Sequence, residues 1–252
     1  MSKQMTNSFP LVEAIFELRW GERTPGNFSF SKQDADVYYQ KLAMQAGSHG
    51  FSCIESPNSD APPIPHLVKY RYRKEVNTWP CYQAGLGVFT VNQVLDGYDR
   101  NVFLSDIENG IQMWVESIGS NINEISDTLK VNLRYQNAFY THRDVDALSR
   151  LQNILGVNIT FPNNYISKLG EFNSISMRVG ISCDAPSKSN AYISINDALI
   201  EGHPGLLVET SVESRVSDIL GEDPRDIRGC VEAWINSAYA FQKNNYQQLM
   251  CN

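Results

Sequence analysis

The chain has 252 residues, 42% of them hydrophobic, 19% charged and 11% aromatic, which excludes a disordered or fibrous protein and allows a full buried core. Its 28 acidic residues outnumber 21 basic ones for a net charge of -7, a balance that opposes non-specific binding to nucleic acid or to an anionic membrane. Five cysteines stand far apart with no Cys-x-x-Cys, four histidines are equally scattered, and no long apolar run occurs, so the expectation is a cytoplasmic chain with reduced thiols, no metal, no cofactor and no membrane contact.

The first ordered segment is Pro10 to Trp20, where strict alternation predicts a strand with Val12, Ala14, Phe16, Leu18 and Trp20 on one face. The other face carries Glu13, Glu17 and Arg19 beside Leu11 and Ile15. Ser31 and Asp34 resemble a capping box for a helix that Ala35, Tyr38, Leu42 and Ala46 continue until Gly47. The proline-rich stretch 57–65 reads as a loop leading to an alternating strand from His66 to Arg73. Gly85-Leu86-Gly87 reads as a turn before a strand from Val88 to Val94. A helix from about Asn101 to Ile118 follows, stopped by Gly119, and Leu129 to Phe139 alternates again.

The order over residues 10–139 is therefore β-α-β-β-α-β, which predicts a ferredoxin-like half. The remainder predicts one short helix ending near Gly156, three antiparallel strands at 172–183, 190–197 and 205–213, and a long terminal helix opened by Asp223-Pro224. Its stripe of Ile227, Val231, Trp234, Ile235, Ala238, Phe241 and Leu249 reads as core. The fold class is α+β, in two unequal halves, 1–140 and 141–252, able to share one sheet.

The Pro10-Leu-Val-Glu-Ala-Ile-Phe-Glu17 opening, Tyr82-Gln83-x-Gly85-x-Gly87-x-Phe89-Thr90-Val91-Asn92, Leu133-Arg134-Tyr135-Gln136-Asn137 and the terminal helix together resemble a sporadically distributed prokaryotic family of proteins of similar length. The resemblance implies a fold more than an activity, and its patchy distribution implies a tie to mobile elements, antiviral defence or toxin neutralisation. This chain departs from the pattern in Leu207 to Val212, which holds Glu209 alone and has Ser211 where a second acid is expected.

No nucleophile elbow, phosphate loop or metal-ligand pair is present, so no catalytic residue is assigned. Two groups remain. Tyr82, Gln83, Asn92, Arg134, Tyr135 and Asn137 are candidate ligand or partner contacts, with a structural role in tying loops to strand ends as the alternative. Lys69, Arg71, Arg73 and Lys130 are a candidate basic face, which Glu13 and Glu17 would partly neutralise if the first and last strands of the half are neighbours. The expected function is a non-catalytic interaction or regulatory subunit that binds copies of itself or a partner protein, with Tyr70, Tyr72, Tyr82 and Tyr192 as contact area. The alternatives are an RNA-binding or RNA-processing protein and a small-molecule or nucleotide-binding enzyme.

Overall fold

The computed structural model describes residues 11–30, 32–60, 62, 64–94, 98–119, 122–140, 145–162, 172–200, 202–220 and 226–250. In chain order the elements are β1 (Leu11–Arg19), β2 (Glu22–Thr24), β3 (Asn27–Phe28), α1 (Lys32–Ser48), β4 (Cys53–Glu55), β5 (Val68–Arg73), β6 (Cys81–Gly85), β7 (Val88–Val94), α2 (Arg100–Ile118), α3 (Ile122–Ile125) and β8 (Lys130–Tyr140). They continue as α4 (Ala147–Leu155), β9 (Ser176–Cys183), β10 (Ser189–Ile200), β11 (His203–Arg215), α5 (Val216–Ile219) and α6 (Ile227–Met250). The class is α+β.

One antiparallel sheet of nine strands runs in the order β4-β5-β6-β7-β1-β8-β11-β10-β9 through both halves of the chain. The same plan occurs twice: a strand, a helix, a run of strands, a helix. With the chain divided before β8 rather than after it, the first strand of each repeat pairs with the last, β1 with β7 and β8 with β11, and the two first strands pair at the centre. A four-stranded ferredoxin-like sheet therefore does not describe the observed one. Two features account for the difference: β6 is a short segment without alternation, and the C-terminal strands extend the N-terminal sheet instead of building their own.

The helices occupy one side of this sheet. Ala14, Phe16 and Leu18 of β1, Val91 of β7 and Val131 and Leu133 of β8 join Phe103, Ile107 and Trp114 of α2 and Val231, Trp234 and Ala238 of α6 in one core. A smaller cluster packs Leu151 and Leu155 of α4 on Phe139, Ile195, Leu206 and Val208. Helix α2 sits close to β7 because Gly110 faces Val91, whose Cγ2 would lie 2.7 Å from an added Cβ. Asp99 caps α2 by accepting from the N–H groups of Asn101 and Val102 at 2.8 and 3.0 Å, and Asp146 caps α4 in the same way.

Several sequence expectations change here. Val12 is 41% exposed, since a register shift between Leu11 and Glu13 turns Leu11 inward in its place. Helix α1 runs through Gly47 to Ser48 and is closed by Gly50, at φ 83° in the left-handed region that a glycine adopts without strain. Ser31 and Asp223-Pro224 lie outside the described residues, as do the side chains of Asp34 and Leu249. Cys53, Cys81 and Cys183 are free thiols, and no described helix is long and apolar enough to cross a membrane.

Candidate functional site

Period-2 alternation divides the predicted contact residues between the two sides of the sheet. Arg134 pairs in register with Ile15 and faces away from the helices with Gln83 and Asn92, whereas Tyr135 and Asn137 face α6 and Tyr82 faces α2. The six residues are not one site. Tyr82 is wholly buried, packs on Phe51 with ring centroids 4.5 Å apart and planes tilted by 46°, and donates its hydroxyl to the Asp106 carbonyl at 3.0 Å, which makes it structural.

On the side away from the helices, polar and charged chains of successive strands lie against one another, and no described helix packs on them. Glu17, only 4% exposed in its side chain, meets Arg19 Nε at 2.7 Å and Arg134 Nη2 at 3.8 Å. Arg134 Nη1 lies 3.8 Å from Glu209, which accepts from Gln136 Nε2 at 2.8 Å. Asn92 Nδ2 donates to Glu13 at 2.6 Å. A charge-paired network thus spans the central strands β1, β8 and β11, and Ser211 sits buried beside Arg134 where a second acid was expected.

The candidate basic face is largely committed elsewhere. Arg73 is 6% exposed, pairs with Glu55 at 3.5 Å, stacks on Trp79 at 4.5 Å and donates to the Thr78 carbonyl. Lys130 pairs with Glu22 of the β2-β3 hairpin at 3.2 Å, and the Gly26 N–H, with that ammonium second to it, holds the Glu22 carboxyl below its usual range. Lys69 lies 5.5 Å from the rings of Tyr39 and Tyr70, beyond the register shift that separates it from Arg71. Arg71 remains on the open side opposite Gln83. Glu17 and Arg134 do meet across β1 and β8, but the acid that takes Lys130 is Glu22.

A second feature was missed by the sequence reading except for Tyr135 and Asn137. Between α6 and the sheet, where the two halves meet, lies a cavity of about 280 Å³. Its floor is Leu11 of β1, Tyr135 and Asn137 of β8 and Thr210 of β11, and its walls are Tyr98 and, from α6, Tyr239, Gln242, Lys243 and Tyr246. Tyr135 stands edge-on to Tyr98, with centroids 6.3 Å apart and planes at 89°, and is inclined at 64° to Tyr239 at 6.4 Å. Burial pushes the Tyr135 hydroxyl well above its usual range and that of Tyr98 upward, so both remain protonated donors, their oxygens 3.3 Å apart. The signal available in the sequence was the shared face of Tyr135 and Asn137 together with tyrosines at 239 and 246 of one amphipathic helix.

Among the described residues no three metal-ligating side chains gather. The buried pair Arg150 and Asp197, at 2.9 Å, joins α4 to β10; Asp197 also accepts from the Ile175 N–H, and the arrangement is structural. Asp106 is the one described carboxyl that burial raises, from 3.8 to about 6, with Lys74 opposing, and its Oδ2 has no partner among the described residues. It lines neither the cavity nor the charged network. Because the folded value exceeds the unfolded one, its carboxyl favours folding at low pH and the benefit is lost as pH rises through about 6. Asp106→Asn is therefore expected to raise stability by on the order of 1 kcal/mol near neutral pH, after discounting for solvent screening, with no gain at acid pH. Urea titrations across the pH range read this directly, and a gain independent of pH would contradict it.

No family model, curated protein or solved structure matches the chain.

Proposed function

We propose that the protein is a non-catalytic interaction subunit that associates with copies of itself through the outer edge of β9, which no other described strand pairs. The observation that carries this reading is the contrast between the two edges of the sheet. At one end β4 has three residues and includes Glu55, a short edge of the kind that resists further pairing. At the other, β9 offers eight residues with no proline and with Val179 and Ile181 44% and 37% exposed. Its single charge, Arg178, is stacked on Tyr192 at 4.1 Å.

The strand is complementary to itself. Antiparallel pairing of two copies about Val179 sets Met177 against Ile181 and Arg178 against Gly180; pairing about Gly180 sets Val179 against Ile181 and Arg178 against Ser182. Both registers join the apolar faces and keep the arginines apart. Of the four tyrosines first expected as contact area, Tyr72 and Tyr82 are in the core and Tyr70 packs on Tyr39, which leaves half-buried Tyr192 beside Arg178.

A non-catalytic role is supported by the commitment of Glu13, Glu17 and Glu209 to ion pairs and amides, and the RNA reading is weakened by the engagement of Lys69, Arg73 and Lys130. The order β6-β7-β1-β8, with α1 and α2 on one side, supports reading the N-terminal half as a ferredoxin-like unit extended by the β4-β5 hairpin. A role in antiviral defence or toxin neutralisation rests on the family resemblance and is tested by the neighbouring genes.

In sedimentation velocity at micromolar concentration, the chain is expected at twice its 28.4 kDa mass, and the Val179→Lys, Ile181→Lys double variant at the monomer mass. A wild-type monomer overturns the proposal. So does a dimer that survives the double substitution.

A further inference from the structure

The cavity between α6 and the sheet carries an inference independent of self-association. Its polar groups are incompletely used. Gln242 is 5% exposed and donates its Nε2 to the Leu133 carbonyl at 2.7 Å, yet its Oε1 has no partner among the described residues. A buried acceptor left unpaired asks for a donor from whatever enters. Asn137 and Thr210, 5% and 8% exposed, add an amide and a hydroxyl on the floor.

The walls define the rest of the ligand. Tyrosine faces at steep angles to one another accept a flat π-system or a cation. A cation is disfavoured because no carboxylate lines the cavity among the described residues, Lys243 stands at its edge, and the Arg100 guanidinium already lies 4.0 Å from the Tyr239 ring. What remains is a flat heterocycle with N–H donors on its edge, carrying an anionic group that Lys243 can meet. Aromatic faces that stack a base, beside amides that read its edge, are the usual means of holding a single nucleobase.

We infer that this cavity binds a nucleoside monophosphate, its base against the Tyr98, Tyr135 and Tyr239 rings that line it with an edge on Gln242 and Asn137, and its phosphate at Lys243. The base fills the tyrosine-lined space and the sugar points outward. No bond is made or broken. Placed at the junction of the two halves, with a floor from β1, β8 and β11, the ligand would touch both halves at once.

Isothermal titration calorimetry of the full chain with adenosine and cytidine 5'-monophosphates, adenosine and ribose 5-phosphate tests this. At least one nucleotide is expected to bind saturably at one per chain, adenosine more weakly than its monophosphate, and ribose 5-phosphate not detectably. Lys243→Glu, at an exposed position, is expected to lower nucleotide affinity about tenfold and leave adenosine unchanged. Tyr239→Ala is expected to weaken both nucleotide and nucleoside by tenfold or more, with a thermal melt confirming that the variant is folded. Absence of saturable nucleotide binding at millimolar concentration overturns the inference. Ribose 5-phosphate binding as well as the nucleotides, or nucleotide binding indifferent to both substitutions, overturns it too. Because β9 forms no part of the cavity, the result stands apart from the oligomeric state.

Discussion

Trp114→Ala is expected to cost about 3–5 kcal/mol of folding stability, a large share of the roughly 5–15 kcal/mol typical of a folded domain. The indole is fully buried on the inner face of α2 and meets Trp20 edge-on at 5.6 Å; Trp20 in turn meets Tyr38 at 5.7 Å. Truncation to a methyl group opens a cavity where β1, α1 and α2 converge, and close-packed aromatic neighbours cannot fill it without leaving their rotamers. Trp114→Phe separates packing from hydrogen bonding. The indole Nε1 has no partner among the described residues, so phenylalanine keeps most ring contacts and removes a donor that folding desolvates without compensation. Its cost is expected to be below about 2 kcal/mol. Urea denaturation of the two variants gives the comparison, and equal losses would show that the indole nitrogen, rather than ring volume, holds this part of the core.

The second large effect is expected in the charged network. Arg134→Ala should cost about 1–3 kcal/mol, because the Glu17 carboxylate stays buried and keeps Arg19 as its cationic neighbour while losing the guanidinium reaching it from β8. Glu17→Ala should also destabilise, since it removes the shared centre of two arginines. The pair is 3.8 Å apart and Arg134 divides itself between Glu17 and Glu209, so the coupling in a double-mutant cycle is expected to be only about 1 kcal/mol. Thermal or urea melts of wild type, both single variants and the double variant measure it. Strict additivity would mean that each residue acts through its other neighbours, and would free Arg134 for a role in binding.

Particular elements show what was legible. Alternation in 10–20 put Phe16 and Leu18 on one apolar face, and alternation in 129–139 marked a second strand, whose Val131 and Leu133 join them in the core, because a strand offers only two faces. The same rule could have separated Arg134 from Tyr135, and Tyr82 from Gln83, since neighbours on a strand cannot share a face. Val12 was misplaced because a bulge interrupts the period, and the insertion leaves no mark in the local composition. Strand β6 was missed because Cys81 to Gly85 is short and buried on both sides, so it shows no alternation. Only Tyr135 and Asn137 of the cavity were singled out, because Tyr98, Thr210 and Gln242 join them from other strands or connections and a helix spread over more than half the chain.

The sequence by itself determined the longer strands and helices, most of their inward faces and the α+β class, because hydrophobic periodicity, caps and turns act over a few residues and are written there. The tertiary structure alone decided that β8 pairs with both β1 and β11, which fuses two halves into one sheet, and that β4 and β9 become its edges. It alone decided which acid meets which base, giving Glu22 to Lys130 and sharing Arg134 between Glu17 and Glu209. Strand order, ion-pair partners and cavities depend on contacts between residues far apart in the chain. Those contacts follow from how amphipathic faces are covered together, and local patterning constrains the faces without naming their partners.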